Sequence, residues 1–566
     1  MHQTVQSSIG VDGSPCEPAS EFARLPSVVD VFVAGFGPVG AALTNLLAAY
    51  GLQVLVIDRE REIHMSPRAI ALDNEALRIL QYLGMTERDL ETVAIPHVSM
   101  RSPFFGEFGR ANTMGSQDGH PKLVTFYQPQ LERRLREMLA GRSNVHIGTG
   151  VALENYVAGQ DEVIATIKTA AGERHSVRAR YLIGADGASS LVRKLSGQEF
   201  VGKTFAEDWL VVDARNVPRP IDHVEFICDY RRPTPHMVAP GGRERWEFML
   251  RRGETREEME SDERIRELLA PWGSLDDIQL ERKAVYRFHA RTVETFGKGR
   301  VFLAGDAAHI TPPFVGQGLV AGLRDAANLG WKLAWVVKGR AAPDILDSYD
   351  AERRPHVKAM IDFARFMGRL VMPRNAVAAL LIHGIMRLTR FVPILRRRFD
   401  EQEMKPKNVF RRGLFIADRT GRTGSKLQRG GVVPQGWMRN AAGQICLSDD
   451  VFGSGLALIG FGVDAGQTLD AGLAAAFASA GGSIVQVMHR GQRLHRAEAG
   501  GWEDLDGVFL PRSVPFGWVA IVRPDRVLIH DGPASEVNRL VAQSLAILGA
   551  TAGVAAPSPG ACLHTV

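Results

Sequence analysis

DVFVAGFGPVGAALTNLLAAYGLQVLVIDRE, residues Asp30 to Glu60, reads as a strand, a glycine-rich turn, a helix and a second strand. The run Val31–Ala34 has neither polar alternation nor helical spacing, as expected of a buried parallel strand. Gly35, Gly37 and Gly40 then supply G-x-G-x-x-G. In that spacing one glycine makes the turn, one lets backbone approach a pyrophosphate and one packs helix closely on sheet. Pro38 suits a first helical turn. The strand QVLVID ends on Asp58, eighteen residues past Gly40 and close to the distance at which a carboxylate meets a ribose hydroxyl. Strand, turn, helix, strand and acid in register point to a dinucleotide, without choosing between NAD and FAD.

The chain has 566 residues, enough for two to four domain-sized units, and 45% hydrophobic residues. Its net charge of +5 is spread over 68 basic and 63 acidic residues with no long Lys/Arg block. Nucleic acid is therefore not an expected partner, whereas an anionic cofactor or substrate is. Cys16, Cys228, Cys446 and Cys562 form no CxxC pair and no zinc-ligand spacing, so no metal is expected and a reducing, cytoplasmic setting is. The first residues carry neither the basic nor the apolar segment of a signal peptide. The longest apolar stretch, AVAALLIHGIM (Ala376–Met386), is too short to span a bilayer. With Arg387, Arg390 and Arg396–Arg398 behind it, it reads as a helix covering the catalytic body with a solvated basic face, the lesser alternative being a helix on a membrane surface, and no membrane partner is expected.

Further along, REIHMSPRAIALDNEALRIL reads as a loop and then a helix carrying Ala71, Leu72, Ala76, Leu77 and Leu80. FYQPQLERRLREMLA reads as another helix. HVEFICDY and ERWEFMLRR alternate as antiparallel strands do. LIGADGASSLVR places Asp186 and Gly187 at a strand end, with Ser190 and Arg193 following. RVFLAGDAAHITPPFVGQGLVAGLRDAANL places Gly305 and Asp306 at another, before a loop and a long helix.

Together with Gly35-x-Gly37-x-x-Gly40, these two stretches resemble the three fingerprints of the class A flavoprotein aromatic hydroxylases, in that family's order. The resemblance implies an α/β fold. It comprises a Rossmann-like FAD-binding domain of the aromatic-hydroxylase type, an inserted antiparallel-sheet substrate domain, a helical cover and a C-terminal thioredoxin-like domain. Residues 1–28 are then a disordered leader and 29–400 the FAD-binding domain, with insertions at about 75–120 and 195–290. Residues 401–424 are a linker and 425–566 the C-terminal domain, which without CxxC implies no redox disulfide.

FAD needs contacts for adenosine, pyrophosphate, ribityl chain and ring. Asp58, beside Arg59, is expected at the adenosine ribose, the helix that starts beyond Gly37 at the pyrophosphate, and Asp306 at a ribityl hydroxyl. Backbone N–H groups of Gly316, Gln317 and Gly318 are placed to hold negative charge on the reduced ring, with Pro312 and Pro313 stiffening the loop. The resemblance further implies cofactor contacts for Arg68, Gln128, Asp186 and Gly187. Asp186 alternatively caps the next helix, and His309 either lies near the flavin or orders the loop. Gly460, Gly462 and Ala465 mimic a second dinucleotide motif but lack the following strand and acid.

Within the family, PRAIALDNEALRILQ, CDYRRPTPHMVAPGGRERWEFMLRRGETREEM, GLRDAANLGWKLAWVVKG and AERRPHVKAMIDFA resemble the 3-(3-hydroxyphenyl)propionate/3-hydroxycinnamate hydroxylases. Leu319 and Val320 depart from the Met-Asn that many members carry there. The resemblance implies ortho-hydroxylation of a phenolic acid with FAD, O2 and NADH or NADPH, NADH being favoured. Arg232, His236, Arg243 and Arg245 are candidates for the substrate carboxylate, and Tyr286 and His289 for the phenol. The competing expectation is a hydroxylase that tailors polyketides or other polycyclic phenols. A flavin halogenase is set aside because no W-x-W-x-I-P stretch occurs. A homodimer is compatible with the chain.

Overall fold

The computed structural model describes residues 25–65, 68–274, 276–401, 404–417, 424–492 and 501–549. Most of the expected leader and parts of the expected linker lie outside the described residues, as do Cys16 and Cys562.

The opening stretch folds as its pattern predicts. Val28–Ala34 is a central strand flanked in parallel by Val54–Asp58 and Arg174–Gly184. Val145–Thr149 and Val301–Leu303 extend this parallel sheet on either side. The hairpin Val151–Ala158/Val163–Thr169 adds antiparallel strands against the first half of Arg174–Gly184. Register aligns Ala34 with Ile57 and Gly184, and Gly184 with Leu303, so all three glycine turns leave the same carboxyl edge. In an open α/β sheet that edge is where ligands sit. Helix Pro38–Ala49 packs against the long, almost wholly buried helix Gly318–Val337, close enough that a Cβ on Gly330 would lie 3.3 Å from Leu46.

A second sheet of eight strands stands beside the first, and its two longest strands, Val201–Arg215 and Gln279–Thr292, pair near one edge. Period-two alternation gives this sheet two unlike faces. Leu210, Val212, Trp246 and Phe248 point outward and are covered by helix Asp262–Leu269. Trp209, Asp213, Arg245, Glu247, Arg282 and Tyr286 line the other face, as the pairings Trp209–Tyr286, Val211–Glu247, Asp213–Arg245 and Asp213–Arg282 require. Ala71 and Leu72 differ from the helical expectation. They belong to the short strand Ala71–Asp73, because the Asp73 carboxylate accepts from Ala76 N–H and starts the helix at Asn74.

The third sheet, seven strands within 437–533, carries helices Ala471–Ser479 and Val537–Ile547 and has a thioredoxin-like order. Gly460 and Gly462 serve packing there: a Cβ would lie 2.3 Å from Val463 O at one and 2.4 Å from the Phe516 ring at the other. The domain is fused to the body. Arg78 donates to Asp449 at 2.5 and 2.8 Å, and Arg523 reaches Glu352, all four buried.

Candidate active site

The three motif glycines do different work. Gly35 has φ +103°, and a Cβ there would lie 2.3 Å from Ala185 O. At Gly40 a Cβ would lie 2.0 Å from Gly35 O, so only glycine lets the helix approach the strand. A Cβ on Gly37 would meet nothing within 4 Å, which leaves its backbone open to the groove. Helix Pro38–Ala49 starts there with no side-chain cap and no acid in its first turn. Its free N–H groups and positive dipole end suit a pyrophosphate. Asp58 accepts from Phe36 N–H at 2.8 Å, which holds the carboxylate at the turn, while Arg59 is exposed and pairs only with Glu60 among the described residues.

At the second strand end, Asp186 caps the next helix: one oxygen accepts from Leu191 and Val192 N–H, and the other is buried without a partner. Burial raises its pKa, partly offset by hydrogen bonds from Ser190 and the backbone. Gly187 turns with φ +76°. Arg193 links this turn to the third by donating to Ala188 O and Ala307 O.

Asp306 lies at the third strand end and makes no hydrogen bond with a described residue. Its pKa is raised by burial, which the nearby charges of His309 and Arg68 only partly offset. A carboxylate left so needs a donor, and a ribityl hydroxyl is one. His309 orders the loop instead of facing the groove. It is fully buried, stacks on Phe296 and hydrogen-bonds Asp325 at 2.6 Å. Asp325 also accepts from Gly305 N–H and Arg353. Burial alone would raise its pKa, but His309 and Arg353 bring it down, so it stays charged. Nothing near Asp325 in sequence marks this role.

Pro313–Val315 forms a single turn, Gly316 has φ +61°, and helix Gly318–Val337 begins with no side-chain cap. Gln317 contributes backbone only: its amide donates to Asp73, and its carbonyl accepts from Arg324. Gln128 accepts from the N–H groups of Arg68 and Ala69, at 2.8 Å each, and so shapes the Arg68 loop. The Arg68 guanidinium is exposed and has no ion-pair partner among the described residues.

The loop around Phe314 and the Arg68 loop cover different halves of the inner sheet face. The Phe314 ring packs against Phe205, Trp209 and Phe288 at 5.7–6.2 Å. Arg245 donates to Arg68 O at 3.1 Å. Under the first loop the face is aromatic, and under the second it is polar. Arg282 donates to the Tyr286 hydroxyl at 2.5 Å and to Asp213 at 3.2 Å. Glu247 is buried and makes no hydrogen bond with a described residue, and burial raises its pKa against the pull of Arg245. The Trp209 indole N–H is also buried and unpartnered.

Several candidates lie elsewhere. Arg232 is clamped by Glu254 and Met249 O. Arg243 pairs with Glu281. Arg245 faces the site but forms a fork with Asp213 at 2.6 and 3.0 Å. His236 points to the outer face, because its register partner is Trp246, on which it stacks. His289 is three residues from Tyr286 on one strand and so on the opposite face. There it contacts Thr204, and burial with Arg291 and Arg287 lowers its pKa. Arg282, four residues before Tyr286, is the cation that period-two spacing identifies on the Tyr286 side.

His236 sits between Glu225 at 3.1 Å and Glu244 at 2.5 Å. Burial would lower its pKa, but the two carboxylates outweigh burial and raise it. A histidine whose folded pKa exceeds its unfolded value contributes stability fully below about pH 6.5, and this is lost as pH rises through the folded value. The melting temperature of the wild type should therefore fall relative to His236→Gln on going from pH 6 to pH 8. Parallel melting curves across that window would rule the pairing out as a stabiliser.

The architecture has known counterparts. A family described as FAD binding domain matches residues 28–364, and one described as HcaD C-terminal domain matches residues 430–546. The 3-(3-hydroxy-phenyl)propionate/3-hydroxycinnamic acid hydroxylase of Shigella sonnei is 36% identical over 437 residues, 77% of this chain and 78% of the relative. That of Klebsiella pneumoniae is 34% identical over 508 residues, 88% and 90% of the two chains. The fold matches the flavin-dependent monooxygenase PieE in complex with FAD and substrate (TM-score 0.77, 20% identity, 92% of this chain and 99% of that one). Aklavinone-11 hydroxylase with FAD and aklavinone gives TM-score 0.71 at 22% identity, with the same shares covered. With three glycine turns on one sheet edge, two uncapped helix starts and an unsatisfied acid between them, and with these relatives over most of its length, the chain belongs to the FAD-dependent aromatic-ring monooxygenases, which use O2 and a reduced nicotinamide.

Proposed function

We propose that this enzyme hydroxylates 3-(3-hydroxyphenyl)propionate, and its acrylate analogue 3-hydroxycinnamate, ortho to the phenol, giving the 2,3-dihydroxy product with NADH as reductant. The observation that carries this reading is the 34–36% identity to hydroxylases of that name across more than three quarters of the chain. The inner sheet face supports it. Arg245 and Arg282 both pair with Asp213 on that face, which sets two guanidinium groups beside the aromatic half, where a propionate would meet a cation. The aromatic half beneath Phe314 suits the ring and excludes water.

FAD, when bound, supplies the hydride acceptance and the activation of O2. The chain's own part is placement. In this reading Asp58 holds the adenosine ribose, the N–H groups beyond Gly37 the pyrophosphate, and Asp306 the ribityl chain. Gly187, Pro313 and the N–H groups of Gly316–Gly318 flank the ring, with Arg68 and Gln128 closing the groove. Tyr286, fixed by Arg282, hydrogen-bonds the phenol.

The test is NADH and NADPH oxidation with product analysis on 3-(3-hydroxyphenyl)propionate, phenol and a bulky polycyclic phenol. Stimulated oxidation with a 2,3-dihydroxy product is expected. Turnover of the polycyclic phenol alone would favour the tailoring reading, which the likeness to aklavinone-11 hydroxylase keeps in view. Arg282→Met should raise KM for the propionate about tenfold to hundredfold, the loss of one charge-assisted contact, with a smaller change on phenol. Equal effects on both substrates would remove Arg282 from carboxylate recognition.

A further inference from the structure

Helices Ala376–Thr389 and Pro393–Asp400 meet at a bend of 106° and pack on the substrate sheet by one side only. On that side His383 stacks on Phe108 at 4.2 Å, and Ile382, Met386 and Phe399 join the cluster around Trp209 and Phe314. The other side was expected to be basic and solvated. It is apolar instead: Val377, Leu380, Leu381, Ile385 and Leu388 share the outward face of the first helix. Phe391 (77% exposed) and Val392 continue it through the bend, and Ile394 (69%) and Leu395 onto the second helix. Such a run is far beyond the scattered apolar side chains of an ordinary surface.

The charges around it are one-sided. Arg387 and Arg390 turn inward, to Phe105 O and the Glu107 carboxylate, whereas Arg374, Arg396, Arg397 and Arg398 are exposed at the rim of the pair, whose own residues carry one carboxylate, Asp400. We propose that this face docks on an anionic lipid surface, with the apolar side chains in the acyl boundary and the arginines among the headgroups. A second copy fits less well, because a two-fold contact of this face would gather the rim arginines of both chains into one interface in which each pair offers a single carboxylate, Asp400. No single described helix is long and apolar enough to cross a bilayer, so the geometry is that of a helix pair lying on the surface. Docking would set the helices that cover the aromatic cluster around Trp209 and Phe314 against the lipid.

The experiment is co-sedimentation of the FAD-loaded full chain with vesicles of phosphatidylcholine alone or of phosphatidylcholine with phosphatidylglycerol, with light scattering in parallel. Binding to the phosphatidylglycerol vesicles, weakening with salt, is expected. The combined variants Leu381→Gln/Ile385→Gln/Phe391→Gln and Arg396→Gln/Arg397→Gln/Arg398→Gln should each cut partitioning roughly tenfold while keeping FAD and the melting temperature. Binding to neither vesicle, or equal binding to both, would overturn the proposal. So would a wild-type dimer that ignores vesicles and that the apolar variant splits, since a second copy would then cover the face.

Discussion

Gly37→Val is expected to fold and to lose FAD. The backbone at Gly37, φ −67° and ψ −177°, is one that any residue adopts, and a Cβ there touches no other atom within 4 Å. The fold has no need of glycine at this place, whereas the pyrophosphate assigned to the uncapped helix start does. A valine side chain would occupy that space and hold the diphosphate off the N–H groups, so affinity should fall about a hundredfold, or ~2.7 kcal/mol. Gly40→Val is the contrasting case. Its Cβ would lie 2.0 Å from Gly35 O, so the helix must move off the strand and the protein should fail to accumulate as a folded monomer or oligomer. FAD titration of the apoprotein separates the two, with melting compared in the apo state because bound cofactor itself stabilises. Unchanged FAD affinity in Gly37→Val would place the pyrophosphate somewhere else.

This contrast also marks what was legible in the sequence. The turn at Gly35, the close packing at Gly40 and the strand-end position of Asp306 follow from local geometry, where spacing along the chain is spacing in space. The substrate face follows from register, which local pattern does not carry. Arg232, His236 and Arg245 each find a carboxylate on another segment: Glu254, the pair Glu225 and Glu244, and Asp213. A cation in an inserted sheet is thus as easily neutralised as offered to substrate. The conflict between Tyr286 and His289 was legible, since residues three apart on a strand face opposite ways. Gln317 sits in a flavin-loop motif, yet its side chain serves Asp73, 244 residues away, and no spacing announces that. The stretch AVAALLIHGIM is apolar nearly all round, so only the packing of His383 on Phe108 decides which side is left outward.

Glu352→Ala is expected to lower stability by about 3–5 kcal/mol, the cost of removing one member of a buried ionic cluster. Glu352 lies on helix Asp347–Val371 and is almost fully buried. Its carboxylate accepts from both Arg523 nitrogens, at 2.6 and 2.9 Å, from Lys332 and Asn328, and from Leu414 N–H. Burial would raise the pKa of Glu352, but Arg523 and Lys332 outweigh it and hold it well below the ordinary range, so the group is ionised. Lys332, lowered by burial to about 8, keeps its charge at neutral pH largely through Glu352. Alanine would leave Arg523 with Asp525 and the Leu414 carbonyl, and Lys332 with no carboxylate in contact among the described residues. Because Lys332 belongs to the FAD-binding body and Arg523 to the C-terminal domain, the loss should appear as one cooperative unfolding transition at lower denaturant, not as early melting of the C-terminal domain alone. Arg523→Met should cost a similar amount, and the double variant much less than the sum, since each removes the same pairing. Replacing the whole cluster with uncharged residues (Lys332→Met, Glu352→Leu, Arg523→Met, Asp525→Asn) should recover much of the loss, as none of its buried charges is then left unpaired. Additive single and double variants in denaturant titrations would show instead that these groups act independently and that the domains are held together by their apolar contacts.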